Sequence, residues 1–300
     1  MEKEVELVRK HVVKLQANRK TLLAYLKEDM DLSSRKAKKL LDKGIRINDK
    51  KAYGDTKLKD GDILLIEENL IRDNVAPEMM ELSIIYEDDS ILVVNKPPYL
   101  LIHPTSNHTN GTLANGIRYY FDMKGISEPV RFFNRIDMDT SGIVVVAKNS
   151  QTHSLLDRYS AKTMVKKYLA VVSGIPSEKS GKIELPISNK SDSEGRRYIS
   201  DEGKLAVTEY QVLEEYKEAS LVSIIIKTGK THQIRVHFSS MGYPLLGDKL
   251  YGGADDNIRR QALHASELIF LHPINKKHIS IKAQLPSDMI MLIQKLRGEA

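Results

Sequence analysis

The sequence predicts an α+β protein of two domains, with a mixed or antiparallel sheet in the larger one. The chain has 300 residues, more than a single domain usually contains. From residue 82 onward, short apolar runs with strand character outnumber helical patterns, which is typical of an α+β sheet rather than a doubly wound one. Residues 71–80 lack periodicity and contain Pro77, so we expect a linker there. The predicted domains are therefore residues 1–75, which include the start of the linker, and residues 76–300.

The smaller domain has the pattern of two short helices followed by a small sheet. Residues 20–28 and 33–44 predict amphipathic helices, and Gly44 is a natural helix end. Residues 45–48 and 63–67 predict strands, joined by a basic segment rich in turn residues. The apolar stripe of the second helix consists of Ala37, Leu40 and Leu41.

The larger domain is dominated by apolar and alternating segments. The predicted strands are residues 83–86, 91–94, 143–148, 168–172, 206–212 and 221–226. The predicted helices are residues 112–120, 150–162 and 234–241. Residues 181–203 are polar and rich in serine, so we expect a mobile loop there.

Composition limits the class of protein. Hydrophobic residues make up 41% and charged residues 29%, as in soluble globular proteins. There is no cysteine, which excludes a disulfide framework and a thiolate metal site and fits a reducing compartment. The charged first residues lack the apolar core of a signal peptide, and no apolar run is long enough to cross a bilayer. We expect a cytoplasmic protein.

The net charge of +6 suggests a polyanionic partner. Residues 31–60 contain ten Lys or Arg against five Asp, so this segment carries a net charge of +5, nearly the whole excess of the chain. Most such charge runs are only solvated faces.

The stretch from Arg131 to Lys148 is the most informative. A β-branched block, residues 143–148, follows a Thr-Ser-Gly turn and predicts a buried strand. The segment before it carries Arg135, Asp137 and Asp139. Charges on a turn fixed to a core strand are suited to chemistry, although a solvated loop would also carry them.

Three blocks of this chain resemble the RluA-type pseudouridine synthase family, in the order that the family has them. Residues 135–142 (Arg-Ile-Asp-Met-Asp-Thr-Ser-Gly) resemble its nucleophile motif, residues 167–174 its second motif and residues 228–237 its third. The similarity covers roughly residues 80 to 290, and it implies an isomerase that needs no metal or other cofactor.

The resemblance implies roles for individual residues. Asp137 matches the catalytic aspartate, which either attacks the ribose or removes a sugar proton. Arg235 would form a salt bridge that keeps this carboxylate ionised, and Tyr168 would stack on the uracil. Taken alone, Arg235 would be a helix-surface residue and Tyr168 a core residue. The expected substrate-binding residues are Arg135, Thr140, Lys230, His232 and Gln233, although Thr140 also suits a role in fixing the turn.

The smaller domain resembles the alpha-L RNA-binding domain, first recognised in a small-subunit ribosomal protein. The similarity lies in the Arg35 opening of the second helix and in the Gly-Ile-Arg-Ile-Asn turn that begins at Gly44. It implies RNA contacts from Arg35, Lys36, Lys39 and Arg46.

The chain departs from the family pattern at three positions. Asn134 replaces the usual His before the nucleophile motif, which puts the nucleotide-flipping role of that position in doubt. Lys230 replaces an Arg and loses bidentate phosphate contact. Tyr99 stands where many members have Gly.

Other functions are disfavoured. A P-loop ending at residues 229–231 would need Gly at position 224, where this chain has Ile224. His232 and His237 are five residues apart, and this spacing does not place both imidazole rings on the same side of a helix or a strand, so a metal site is disfavoured. The sequence therefore predicts an RNA pseudouridine synthase that is a monomer, with ribosomal RNA of the large subunit as the first choice of substrate. Transfer RNA as substrate, and a non-catalytic RNA-binding protein, are the alternatives.

Overall fold

The computed structural model describes residues 5–14, 20–30, 32, 34–70, 75–160, 163–253 and 255–299, without the side chains of residues 5–10, 35, 36, 43, 67–70 and 160. The described strands form two sheets that share no strand. One sheet ends at Leu70 and the other begins at Ile84. No helix in these ranges is both long enough and apolar enough to span a membrane.

The N-terminal unit is a four-stranded antiparallel sheet with two helices, in the strand order β1-β4-β2-β3. The predicted helices and strands are present, and β1 and β3 were not predicted. Ala37 and Leu40 of the predicted apolar stripe are buried against Ile45 and Leu64. The elements are β1 (Val5–Val12), α1 (Leu22–Glu28), α2 (Ser34–Lys43), β2 (Ile45–Ile47), β3 (Lys50–Ala52) and β4 (Ile63–Leu70).

The larger unit is built on a ten-stranded mixed sheet, as predicted. Eight strands follow one another in the order β10-β11-β12-β9-β13-β8-β6-β5. Of the other two strands, β14 pairs with β13 and β7 pairs with β8. Among the pairings in the described chain, only β13 with β8 is parallel. The strands are β5 (Ile84–Glu87), β6 (Ile91–Lys96), β7 (Arg131–Phe132), β8 (Ser141–Ala147), β9 (Val165–Ser173), β10 (Ser180–Ile187), β11 (Lys204–Glu215), β12 (Ala219–Ile226), β13 (Leu263–Leu271) and β14 (His278–Lys282). The helices are α3 (Leu113–Met123), α4 (Ser150–Leu155), α5 (Gln233–Ser240) and α6 (Ser287–Arg297).

Helices cover both faces of this sheet. On one face, α3 packs on β6 and β8, and α5 packs on β9 and β12. On the other, α6 covers β9 and β12, while β6 and β8 meet β13 and β14 side chains. Strands β6 and β8 are therefore buried on both faces, which explains why they are continuous apolar runs rather than alternating ones.

One prediction for the larger unit was wrong, and a second is confirmed with a change in the type of helix. Residues 181–203 are not wholly a loop, because β10 pairs along eight residues with β11. The predicted helix at 150–162 is helical as far as it is described, with α4 up to Leu155 and a π-helical turn at Leu156–Ser160, and residues 161 and 162 lie outside the described residues.

The expected linker lies partly outside the described residues, at 71–74. Residues 75–80 have no regular structure but are anchored on α3. The Asn115 side chain donates to the Ala76 carbonyl at 2.8 Å, and Glu78 accepts from the Gly111 amide at 2.6 Å.

Candidate active site

Asp137 lies in the segment that leads into the buried strand β8. The Thr140 amide donates to the Asp137 carbonyl at 3.1 Å and closes the turn. The side chain of Asp137 remains 29% exposed, so it is accessible from solvent. Asn134 fixes the approach to this turn, since its amide group bonds the Ile143 carbonyl at 2.9 Å and the Val145 N–H at 2.8 Å. In this chain Asn134 therefore acts on the backbone of β8.

Arg235 connects Asp137 to a fully buried carboxylate. Its Nε and Nη2 donate to the two oxygens of Asp248 at 2.6 and 2.8 Å, and Nη1 lies 3.4 Å from Asp137 Oδ2. The guanidinium carbon also sits 4.8 Å from the centre of the Tyr251 ring. A bidentate pair with a buried aspartate holds the guanidinium plane in one orientation. The remaining nitrogen is thereby directed at Asp137.

Tyr168 brings a third chain segment to this place. It lies on β9, opposite Ile224 on one side and Ala265 on the other. Burial raises the pKa of its phenol, and the negative charge of Asp137 raises it further. The phenol therefore keeps its proton at neutral pH. Asp137, Arg235 and Tyr168, predicted together by resemblance, are thus gathered from a turn, a helix and a strand.

Lys96 was not predicted, yet it is buried beside the turn. Its ammonium donates to the carbonyls of Met138 at 2.7 Å, Pro97 at 2.8 Å and Leu100 at 2.9 Å. Burial lowers the pKa of Lys96 to about 7, while the nearby charge of Asp139 opposes this shift. A lysine at the end of the apolar run Ile91–Val94 was the available signal.

Arg260, also not predicted, supports the other side of the turn. Its guanidinium is buried and donates to the carbonyls of Asp139 at 3.0 Å and Leu263 at 3.1 Å. Nε and Nη2 bind Asp288 of α6 at 2.7 and 2.9 Å. Burial raises the pKa of the Asp139 carboxyl, one oxygen of which is buried without a hydrogen-bond partner in the described structure.

The residues predicted to bind substrate fall into two groups. Arg135 is exposed, and Lys230 and His232 are partly exposed. His232 has a left-handed backbone and bonds the Tyr251 hydroxyl through Nδ1 at 2.9 Å. Burial lowers its pKa, which favours the neutral imidazole.

Thr140 and Gln233, by contrast, are buried and engaged by the protein. Thr140 Oγ1 accepts from Gln261 at 3.3 Å. The Gln233 amide group bonds Thr228, the Lys230 N–H, the Val207 carbonyl and Thr208, all within 3.1 Å. The structure therefore favours a role for both residues in holding the site, rather than the predicted substrate contact.

Of the predicted RNA-binding residues, Lys39 on α2 and Arg46 on β2 are exposed. The side chains of Arg35 and Lys36 lie outside the described part of the chain. Within the described ranges, no three His, Cys, Asp or Glu side chains are grouped so as to hold a metal ion.

Comparison with known proteins identifies the family. The sequence profile of the RNA pseudouridylate synthases matches residues 90–240. The Bacillus subtilis (strain 168) protein named "Uncharacterized RNA pseudouridine synthase YjbO" is 40% identical over 240 residues, which cover 79% of this chain and 85% of that protein. The Zymomonas mobilis "Ribosomal large subunit pseudouridine synthase D" is 37% identical over 237 residues, which cover 73% of this chain and 74% of that protein.

A solved structure is similar over most of the chain. "Human RNA Pseudouridylate Synthase Domain Containing 1" superposes with a TM-score of 0.58 and 29% identity, over 72% of this chain and 95% of that chain. The profile match contains Asp137, Tyr168 and Arg235. This chain belongs to the RNA pseudouridine synthase family and is an isomerase.

Proposed function

We propose that this isomerase converts uridine to pseudouridine in ribosomal RNA of the large subunit, with Asp137 acting on the ribose. The observation that carries the proposal is the Asp137–Arg235–Asp248 arrangement, in which a partly exposed carboxylate faces an oriented guanidinium at 3.4 Å. The choice of RNA is supported by similarity to proteins named ribosomal large subunit pseudouridine synthase D.

The reaction breaks the bond between the ribose and a ring nitrogen, turns the uracil and rejoins it through a ring carbon. An ionised carboxylate serves this chemistry either by attacking the anomeric carbon or by removing a sugar proton, and both routes need the carboxylate unprotonated. Arg235 Nη1 lies 3.4 Å from Asp137 Oδ2, where its positive charge faces the carboxylate that acts on the ribose. Neither route requires a metal or redox group, so we propose that none is used.

In this proposal Tyr168 contacts the uracil ring rather than the ribose. Because its pKa is raised, it is a neutral phenol, which stacks on uracil and donates a hydrogen bond but does not act as a phenolate. Arg135, Lys230 and His232 are accessible and are proposed to contact the RNA around the displaced nucleotide.

The N-terminal unit is proposed to bind RNA by its basic surface. Lys39 on α2 and Arg46 on β2 are exposed near each other in sequence, and Lys50 and Lys51 on β3 are exposed as well. Clustered Lys and Arg side chains attract the phosphate backbone. A cytoplasmic monomer is the remaining part of this proposal.

The test is nucleoside analysis of unmodified large-subunit RNA incubated with the wild-type protein, with Asp137→Asn and with Asp89→Asn. Asp89 is an exposed aspartate in the turn between β5 and β6 and serves as the matched control. We expect pseudouridine from the wild type and the control and none from Asp137→Asn, with RNA affinity retained in all three. Activity in Asp137→Asn would refute its role, and wild-type activity on transfer RNA alone would refute the ribosomal substrate.

A further inference from the structure

Tyr99 has an unfavourable backbone conformation for its residue type. Its φ is 62°, in the left-handed region that glycine adopts freely and that a bulky side chain avoids. The side chain is nevertheless 57% exposed. Of the five non-glycine residues with positive φ in the described chain, Tyr99 and His232 belong to segments that contact the site.

The loop that carries Tyr99 is fixed against the Asp137 turn. The Lys96 ammonium binds the carbonyls on both sides of it, those of Pro97 and Leu100. The Leu100 amide donates to the Met138 carbonyl at 3.2 Å. Through this bond and the covalent geometry of the chain, the Cα atoms of Tyr99 and Asp137 are at most about 12 Å apart.

The fold gains little from an aromatic side chain at this position. Tyr99 makes no hydrogen bond, ion pair or ring contact with any residue in the described ranges. Met138, next to Asp137 in sequence, is also 44% exposed. A strained residue with an exposed, unpartnered ring is expected where the ring serves binding rather than folding.

We propose that Tyr99 stacks on an unpaired nucleobase of the RNA that flanks the uridine held at Asp137. This inference rests on the proposed function. A nucleotide that leaves its helix exposes the faces of its neighbours, and exposed aromatic rings are the usual partners of such bases. Tyr99 would then contribute to the choice of RNA site, independently of the chemical step.

The experiment compares Tyr99→Gly, Tyr99→Phe and Lys276→Gly with the wild type, on an RNA oligonucleotide spanning the site mapped with the wild-type enzyme. Lys276 also has positive φ (58°) and is exposed, but it lies in the β13–β14 loop. We expect Tyr99→Gly to be at least as heat-stable as the wild type and to lose about tenfold in kcat/KM, mainly through KM. Tyr99→Phe and Lys276→Gly should keep the wild-type kcat/KM.

A second arm uses the same RNA with an abasic nucleotide on either side of the target. At the contacted position the abasic change should remove the difference in kcat/KM between the wild type and Tyr99→Gly. Equal kcat/KM of these two proteins on the intact RNA, or an equal loss in Tyr99→Phe and Tyr99→Gly, would overturn ring stacking. In both of these cases the wild-type enzyme still forms pseudouridine, so the proposed function stands. If the wild-type enzyme forms no pseudouridine, the proposed function itself is overturned.

Discussion

Replacing Asp288 with Asn tests whether the C-terminal helix supports the Asp137 turn. Asp288 on α6 binds the buried guanidinium of Arg260 through two bonds, and Arg260 in turn donates to the Asp139 carbonyl. Asn keeps the shape of the side chain but removes its charge. Arg260 would then be a buried cation with only neutral acceptors.

The size of the effect follows from burial. Removing one partner of a buried ion pair costs about 3–5 kcal/mol. The Asp288 side chain is 30% exposed and Arg260 keeps several carbonyl acceptors, so the lower end, about 3 kcal/mol, applies. In a domain of this size each kcal/mol lowers Tm by about 2–4 °C, which gives a fall of about 6–12 °C. A displaced turn should also lower kcat about tenfold or more.

The same helix provides the control. Arg297 of α6 forms a two-bond pair with Glu214, and both side chains are more than a third exposed. Glu214→Gln should therefore cost no more than about 1 kcal/mol, or at most about 4 °C in Tm. Calorimetry gives Tm, and pseudouridine formation well below both transitions gives kcat. Equal Tm values and an unchanged kcat for the two variants would refute the reasoning.

Two further predictions concern the same part of the sheet. Gly142→Ala should prevent stable folding, because the new Cβ would lie 2.3 Å from the Ala265 carbonyl oxygen and the backbone φ is 117°. The control Gly111→Ala has open space around its Cβ and a φ of 67°, so it should lower the free energy of unfolding in urea by only about 1–2 kcal/mol. Equal losses of stability in the two variants would contradict the steric explanation. Burial lowers the pKa of His264 in the folded protein from 6.5 to about 4. The unfolded chain therefore binds this proton first, so the free energy of unfolding falls as the pH drops from 6.5 towards 4, by about 2 kcal/mol at pH 5. His264→Asn should lack this part of the pH dependence, and an unchanged dependence in urea unfolding from pH 7.5 to 5 would count against it.

Local pattern predicted most of the elements that carry the site. Strand β8 was predicted because it is buried on both faces and therefore continuously apolar. Strand β10 was missed because it is an edge strand, where exposed polar residues alternate with buried ones and Pro186 interrupts the pattern. Its polar composition resembled that of a loop.

The contacts between the side chains of the site could not be predicted from the local sequence pattern. Arg235 and Asp137 are 98 residues apart in sequence, and Arg260 and Asp139 are 121 apart. Periodicity reports which face of an element is buried, but not which distant side chain it meets. Resemblance supplied Arg235 as the partner of Asp137, whereas nothing in the sequence indicated that Asp248 or Asp288 would orient the arginines.

The position of Ala265 shows why the sheet order matters for the proposed chemistry. Strand β13 lies between β8 and β9, and Ala265 pairs with Gly142 on one side and Tyr168 on the other. The end of the Asp137 turn and the tyrosine are thus about two strand spacings, roughly 10 Å, apart. Burial raises the pKa of the Tyr168 phenol and the negative charge of Asp137 raises it further, so the carboxylate and the phenol lie close enough for their electrostatic interaction to matter. A side chain at Gly142 would push β13 away and disturb the pairing of Ala265 with Tyr168, so the absence of a Cβ there keeps the two segments of the proposed site at this spacing.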